Sequence, residues 1–173
     1  MRKFLLALLL VGGCGGSGPA NRQATAPSAG PRSEAAKPAA AAQAQRGRIG
    51  IIGLWEGGAA EHRNQLCLLD KAGKTQFGLV VWGGANLNSC SGAGEVERKG
   101  DTLNLKMSGD SACTIEAAVE VDGIVFRRAV GAGCKSYYCG QGARFDGARF
   151  TQEGQGAAAA RKATDIAGDP LCG

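Results

Sequence analysis

From residue 48 onward, apolar and polar positions alternate with a period of two. In Thr102–Met107 the side chains of Leu103, Leu105 and Met107 share one face. In Thr114–Val121, Ile115, Ala117, Val119 and Val121 share one face while Glu116 and Glu120 take the other. One buried and one wet face is the signature of antiparallel sheet. The same pattern predicts strands over 48–55, 65–70, 75–82, 93–98, 124–130 and 143–150. Ala72-Gly73, Lys99-Gly100-Asp101 and Asp122-Gly123 read as hairpin turns. Asp146-Gly147 lies inside a small echo, Ala143-Arg144-Phe145 and Ala148-Arg149-Phe150, and reads as a tight hairpin or a bulge. The fold class expected is therefore all-β: an antiparallel up-and-down barrel, or barrel-like meander, of seven or eight short strands. Closure removes sheet edges, and a two-sheet sandwich is the alternative. One short C-terminal helix is expected over 157–167, which is alanine-rich and followed by Gly168 and Pro170.

The N-terminus follows a different pattern. Arg2 and Lys3 precede an apolar run that ends in Val11-Gly12-Gly13-Cys14. A basic start, an apolar centre and a small-residue exit describe a secretory signal. The run falls well short of the ~20 residues that span a bilayer. Val11-Gly12-Gly13-Cys14 resembles the lipobox of bacterial lipoproteins. That resemblance implies removal of residues 1–13, a lipidated Cys14 as the new N-terminus, and a membrane partner through the lipid. The alternative is ordinary cleavage near Gly16. Gly15, where an Asp is absent, is similar to the signal for transfer to the outer membrane. The expected location is the periplasmic face of that membrane.

Residues 14–47 read as a lipidated N-terminus and a disordered linker. Ala, Gly, Pro, Ser and Gln dominate, and four of the five prolines fall there. Such a segment buries too little to offset its ordering entropy. As a flexible coil it spans about 30 Å. The formal net charge of +5 divides into +2 from Arg2 and Lys3 and +3 from the linker, because residues 48–173 carry 14 cations and 14 anions. A neutral domain lacks the basic face that nucleic acid needs, so no nucleic-acid partner is expected.

Aromatics make up only 5% of the chain, and it holds 29 glycines, so packing alone is thin. The cysteines supply the remainder. Setting Cys14 aside leaves Cys67, Cys90, Cys113, Cys134, Cys139 and Cys172, an even set that reads as a disulfide framework in an exported domain. The hairpin at Gly100-Asp101 places Cys90 nearly opposite Cys113. Cys134 and Cys139 close a small loop, and Cys67 then pairs with Cys172. The rival pattern joins Cys113 to Cys134 across the Asp122-Gly123 turn.

Candidate chemistry is sparse. His62 is the one histidine, and it has no second histidine or free thiol with which to share a metal. No Gly-x-Ser-x-Gly elbow or phosphate loop occurs. Neither catalytic residues, nor a metal, nor a cofactor is expected, and the chain reads as a non-enzyme. A small periplasmic hydrolase working through His62 is the least favoured alternative. Two stretches suit recognition instead. Trp82 leads through Gly83-Gly84 to Asn86 and Asn88, where glycines admit a close backbone and the amides adapt. Tyr137 and Tyr138 sit between Cys134 and Cys139, and a constrained aromatic loop loses little entropy on binding. One of the two tyrosines is expected to pack inward. Strict alternation would send Arg128 into the interior, unless the strand ends there or an acid such as Glu116 meets it.

Two further resemblances concern the domain. Gly53-Leu54-Trp55 is similar to the Gly-x-Trp of lipocalins and related barrels. It implies a tryptophan plugging the barrel floor under a late-strand arginine, here Arg144 or Arg149. Gly142-Ala143-Arg144-Phe145-Asp146-Gly147, followed by Phe150 and Glu153-Gly154, resembles a motif of bacterial inhibitors of c-type lysozyme. That family's inhibitory serine and lysine match Gln141 and Glu153 here, the second a charge reversal, which argues against carrying the activity over. The function expected is thus a lipid-anchored envelope protein whose domain binds an envelope protein or small ligand without catalysis. A lysozyme-inhibitor-like protein is the alternative.

Overall fold

The computed structural model describes residues 50–83, 87–109 and 112–173. The signal, Cys14, the linker and Asn86 lie outside the described residues. Eight antiparallel strands close into a barrel in simple sequence order. They are β1 (Gly53–Ala59), β2 (His62–Lys71), β3 (Lys74–Trp82), β4 (Ser89–Lys99), β5 (Thr102–Met107), β6 (Thr114–Val119), β7 (Ile124–Val130) and β8 (Arg149–Gln155). Two single-turn helices, α1 (Gly133–Ser136) and α2 (Ala157–Ala160), complete the described elements. The barrel replaces the sandwich alternative.

Turn chemistry drives the meander. Ala72 and Gly73 both adopt positive φ, 53° and 78°, with Lys71 opposite Lys74. This is the twist that a two-residue hairpin needs. Gly100, at φ 61°, turns β4 into β5, and the Glu120 N–H donates to Gly123 O across the β6–β7 turn. The barrel thus has a hairpin end, with these three turns, and a loop end. The loop end carries the connections after β1, β3, β5 and β7.

Inward side chains fill the interior. Trp55, Phe77, Phe126, Phe145, Phe150, Leu66, Leu79, Leu105 and Ile115 are all at most 2% exposed. The Trp55 indole N–H donates to Ile51 O at 2.8 Å. The arginine cover implied by the lipocalin resemblance is absent. Arg149 points outward beside Glu120 at 3.6 Å, and Arg144 sits in the loop end.

Arg128 also stays outside. The β6–β7 register slips between Glu116 and Ala117, so Glu116 faces Arg128 and Ala117 faces Phe126. The extra residue, Arg127, forms a bulge that resets the alternation. Arg128 then meets Glu116 through two hydrogen bonds of 2.8 Å. The strand continues through it to Val130, while β6 stops at Val119 and leaves Val121 exposed in the turn.

A second, smaller core lies outside the barrel. Leu54, Cys67 and Leu69 point outward from β1 and β2 and are covered by Ala160, Ala163 and Cys172. The C-terminal segment is therefore a strap across the outer wall, sealed by Cys67–Cys172. Gly78 lets it lie close, since a Cβ there would stand 2.2 Å from Leu171 O. The strap is helical only over Ala157–Ala160. Beyond that, Asp165 accepts the Ala167 and Asp169 N–H groups and Thr164 bridges Pro170, which replaces the longer helix expected.

Cys67–Cys172 is as expected, but the other two pairings are corrected. Cys90 bonds Cys139, not Cys113, and Cys113 bonds Cys134, the rival pairing, so Cys134–Cys139 does not form. The cause is the long β7–β8 connection. Its residues 138–140 run beside the start of β4, with Ser91 N–H donating to Tyr138 O and Gly140 N–H to Ser89 O. This places Cys139 directly against Cys90 at a Cα separation of 4.0 Å. Cys113 precedes β6 opposite the end of β7, where Cys134 waits one turn further on, its Cα 4.9 Å away.

Candidate functional site

The loop end gathers stretches that lie far apart in sequence. It collects the start of β2 with His62, the end of β3 with Trp82, the start of β4 with Asn88, and the whole 131–148 connection with Tyr137, Tyr138 and Arg144. Cys90–Cys139 and Cys113–Cys134 staple that connection to β4 and to the β5–β6 turn. Covalent closure leaves these loops little freedom to lose on binding.

Trp82 is half-buried and held from two sides. Its backbone N–H donates to Asn64 Oδ1 at 2.7 Å, and its ring meets His62 edge-on with centroids 5.0 Å apart. Asn64 occupies an inward position of β2, in phase with Leu66 and Leu68, and is the one buried polar residue among those described. Glu61, next to His62 in the chain, is exposed. Glu56 instead takes Arg63 at 2.7 Å and Gln65 at 3.3 Å.

The remaining recognition residues divide. Tyr137 is 80% exposed and free to touch a partner. Tyr138 packs inward against Gly92, Met107 and Gly109, with its hydroxyl buried and without a hydrogen-bond partner among the described residues. It belongs to the support of the site, not to its contact face. Asn88 is likewise structural in its amide, which donates to Gln141 O at 2.6 Å. Leu87, which adopts φ 59° and is 64% exposed, adds an apolar side chain to the rim. Gln141 lies here, whereas Glu153 is exposed on the outer wall beside the β1–β8 register shift, towards the hairpin end. The two positions matched to the inhibitor motif therefore do not share one face.

Two clefts open beside the connection. One of about 600 Å³ is lined by Asn64, Trp82, Arg144, Asp146 and Arg149, with glycines between them. The other, about 280 Å³, is lined by Ala129, Lys135, Ala143, Arg144 and Phe145. Asp146 is already engaged, since its Oδ1 accepts the Ala129 N–H at 2.6 Å. In doing so it stands in for the strand partner that β7 lacks there. The turn at Gly147, φ 83°, delays β8 to Arg149, so the strand expected over 143–150 begins later.

Asn64 was not singled out by any motif, whereas Arg144 entered through the two family resemblances, in roles other than lining a loop-end cleft. Asn64 carries a signal in retrospect: it is a polar residue on the inward phase of an otherwise apolar strand face. No cluster of three or more potential metal ligands occurs among the described residues. What the fold and site define is a disulfide-stapled, filled antiparallel barrel with an aromatic loop end. Comparison with protein-family models, with characterised proteins and with solved structures returns no match.

Proposed function

We propose that this chain is a lipid-anchored envelope protein whose barrel is a non-catalytic binding module, with the loop end as its contact surface. One observation carries the proposal. The recognition stretches around Trp82 and Tyr137 are stapled together at one end of a barrel whose interior is filled with its own side chains. A filled interior leaves little room for a ligand inside, as a lipocalin-like reading would require. It favours recognition at the end, by an envelope partner that spans Trp82, Leu87 and Tyr137. Exposed aromatic side chains on a rigid support are the usual anchors of such contacts. His62 packs edge-on against the Trp82 ring and so belongs to the support of this contact surface.

The test is photo-crosslinking of the full chain in its own envelope. A photoreactive residue at Tyr137 is expected to capture a discrete partner, and the same residue at Asp101, exposed on the hairpin end, is expected to capture none. Equal capture from both ends, or from Asp101 alone, would sink the proposal. The anchor is tested separately: Cys14→Ser is expected to move the protein from the membrane fraction to the soluble one.

A further inference from the structure

Most arginines of the barrel wall are spoken for. Arg63 pairs with Glu56, Arg127 and Arg149 with Glu120, and Arg128 with Glu116. Arg144 is different: it is exposed and has no acidic partner among the described residues. It also lines both loop-end clefts. Trp82, held by Asn64 and His62, lines the larger one as well. Gly58, Gly83, Gly142 and Gly147 also line it, so part of its wall is bare backbone.

We propose that this cleft is a site for a single carboxylate carried on a ring. The Arg144 guanidinium takes the carboxylate in a bidentate pair, and Trp82 takes the apolar face of the ring. A fork of parallel N–H donors matches carboxylate geometry, and charge-assisted bonds of this kind are the stronger ones. A volume near 600 Å³ suits a small organic ligand. The charge count selects a monoanion. Arg144 and Arg149 against Asp146 leave the lining with a net charge of +1, which one carboxylate balances, and of the two arginines Arg144 is the one without an acidic partner among the described residues. A phosphate dianion would meet Asp146 with one charge uncompensated. The proposal deepens the loop-end reading but is tested with small probes, so it fails separately from partner capture.

The probes are sodium glucuronate and sodium benzoate, against glucose and benzyl alcohol at equal ionic strength. Binding to the full chain is followed by calorimetry and by the indole N–H resonances. Either acid is expected to saturate and to shift the Trp82 resonance while that of buried Trp55 stays in place. Glucuronate alone assigns a sugar acid, benzoate alone an aromatic acid. Arg144→Gln is expected to weaken binding by roughly tenfold or more, the loss of a charge-assisted pair. Arg161→Gln, on the strap, is expected to leave it unchanged. Equal binding of the neutral analogues, unchanged affinity in Arg144→Gln, or no saturation by either acid would overturn the proposal.

Discussion

Single residues decide how the loop end is held. Asn64 is the clearest case, because its carbonyl is the acceptor for the Trp82 N–H at the point where β3 ends. Removing it leaves a part-buried donor unpaired, which costs about 1–3 kcal/mol. Asn64→Ala is therefore expected to lower the unfolding free energy read from urea titration by that amount and to raise the mobility of Trp82 seen in fluorescence anisotropy. An unchanged anisotropy would mean that His62 alone positions the ring. Glu116 sets a pH dependence. The hydrogen bonds from Arg128, reinforced by its charge, hold the Glu116 carboxyl below its ordinary value and hold the Arg128 guanidinium above its own. A carboxyl depressed on folding contributes stability above its unfolded pKa of about 4.3, and that contribution is lost as pH falls through the lower folded value. Glu116→Gln is expected to be less stable than the parent at neutral pH and to converge with it in strong acid. Parallel curves at every pH would show that the pair does nothing for folding. The pair is solvent-exposed, so the gap is small.

At the scale of elements, legibility followed the strictness of the pattern. β5 and β7 were readable to the residue because each begins at a Gly-containing turn; β5 alternates cleanly, whereas in β7 the bulge at Arg127 interrupts the alternation without moving the strand's ends. β1 was not, because Gly57 and Gly58 read as loop although they pair with Asn64 and Arg63. The delay of β8 was hidden by the echo around Asp146-Gly147, where two phenylalanines both point inward but only the second lies in a strand. The disulfides failed for a different reason. Local hairpin geometry cannot show that residues 138–140 fold back over β4, since that contact joins segments 49 residues apart at the cystine. One signal was present and unread. Leu66-Cys67-Leu68-Leu69 is apolar without alternation, which marks a strand buried on both faces, and the strap is what covers the second face. The strap depends on Cys67–Cys172, whose partners are 105 residues apart. In the chain-entropy account a loop of this length is worth about 4–5 kcal/mol. Cys67→Ala with Cys172→Ala is expected to lose stability of that order and to open trypsin cleavage at Arg161 and Lys162. Retained resistance to trypsin would show that the outer core holds the strap unaided.

For the whole molecule, the barrel is not equally closed all round. β2 pairs with β3 from Gln65–Val80 to Lys71–Lys74, and β3 with β4 along almost its full length. The last seam, β7 with β8, has only Ile124–Phe150 and Val125–Arg149 in register. Past that point the wall is completed by the turn at Gly147, through Phe126 and Ala148, and by the Asp146 carboxylate on Ala129. The two loop-end disulfides fasten the connection that fills this gap, so the site and the weakest seam are the same region. Elements with few ladder bonds open locally at lower free energy than the rest. Replacing Cys90, Cys139, Cys113 and Cys134 with alanine is thus expected to affect the molecule unevenly. Amide exchange should accelerate first across 131–148 and in the second half of β7, while β2, β3 and β4 keep their protection. Uniform acceleration would mean that the staples support the barrel as one cooperative unit. The uneven outcome would separate the two roles of the cystines: Cys67–Cys172 secures the fold, and the loop-end pair holds the binding surface in shape.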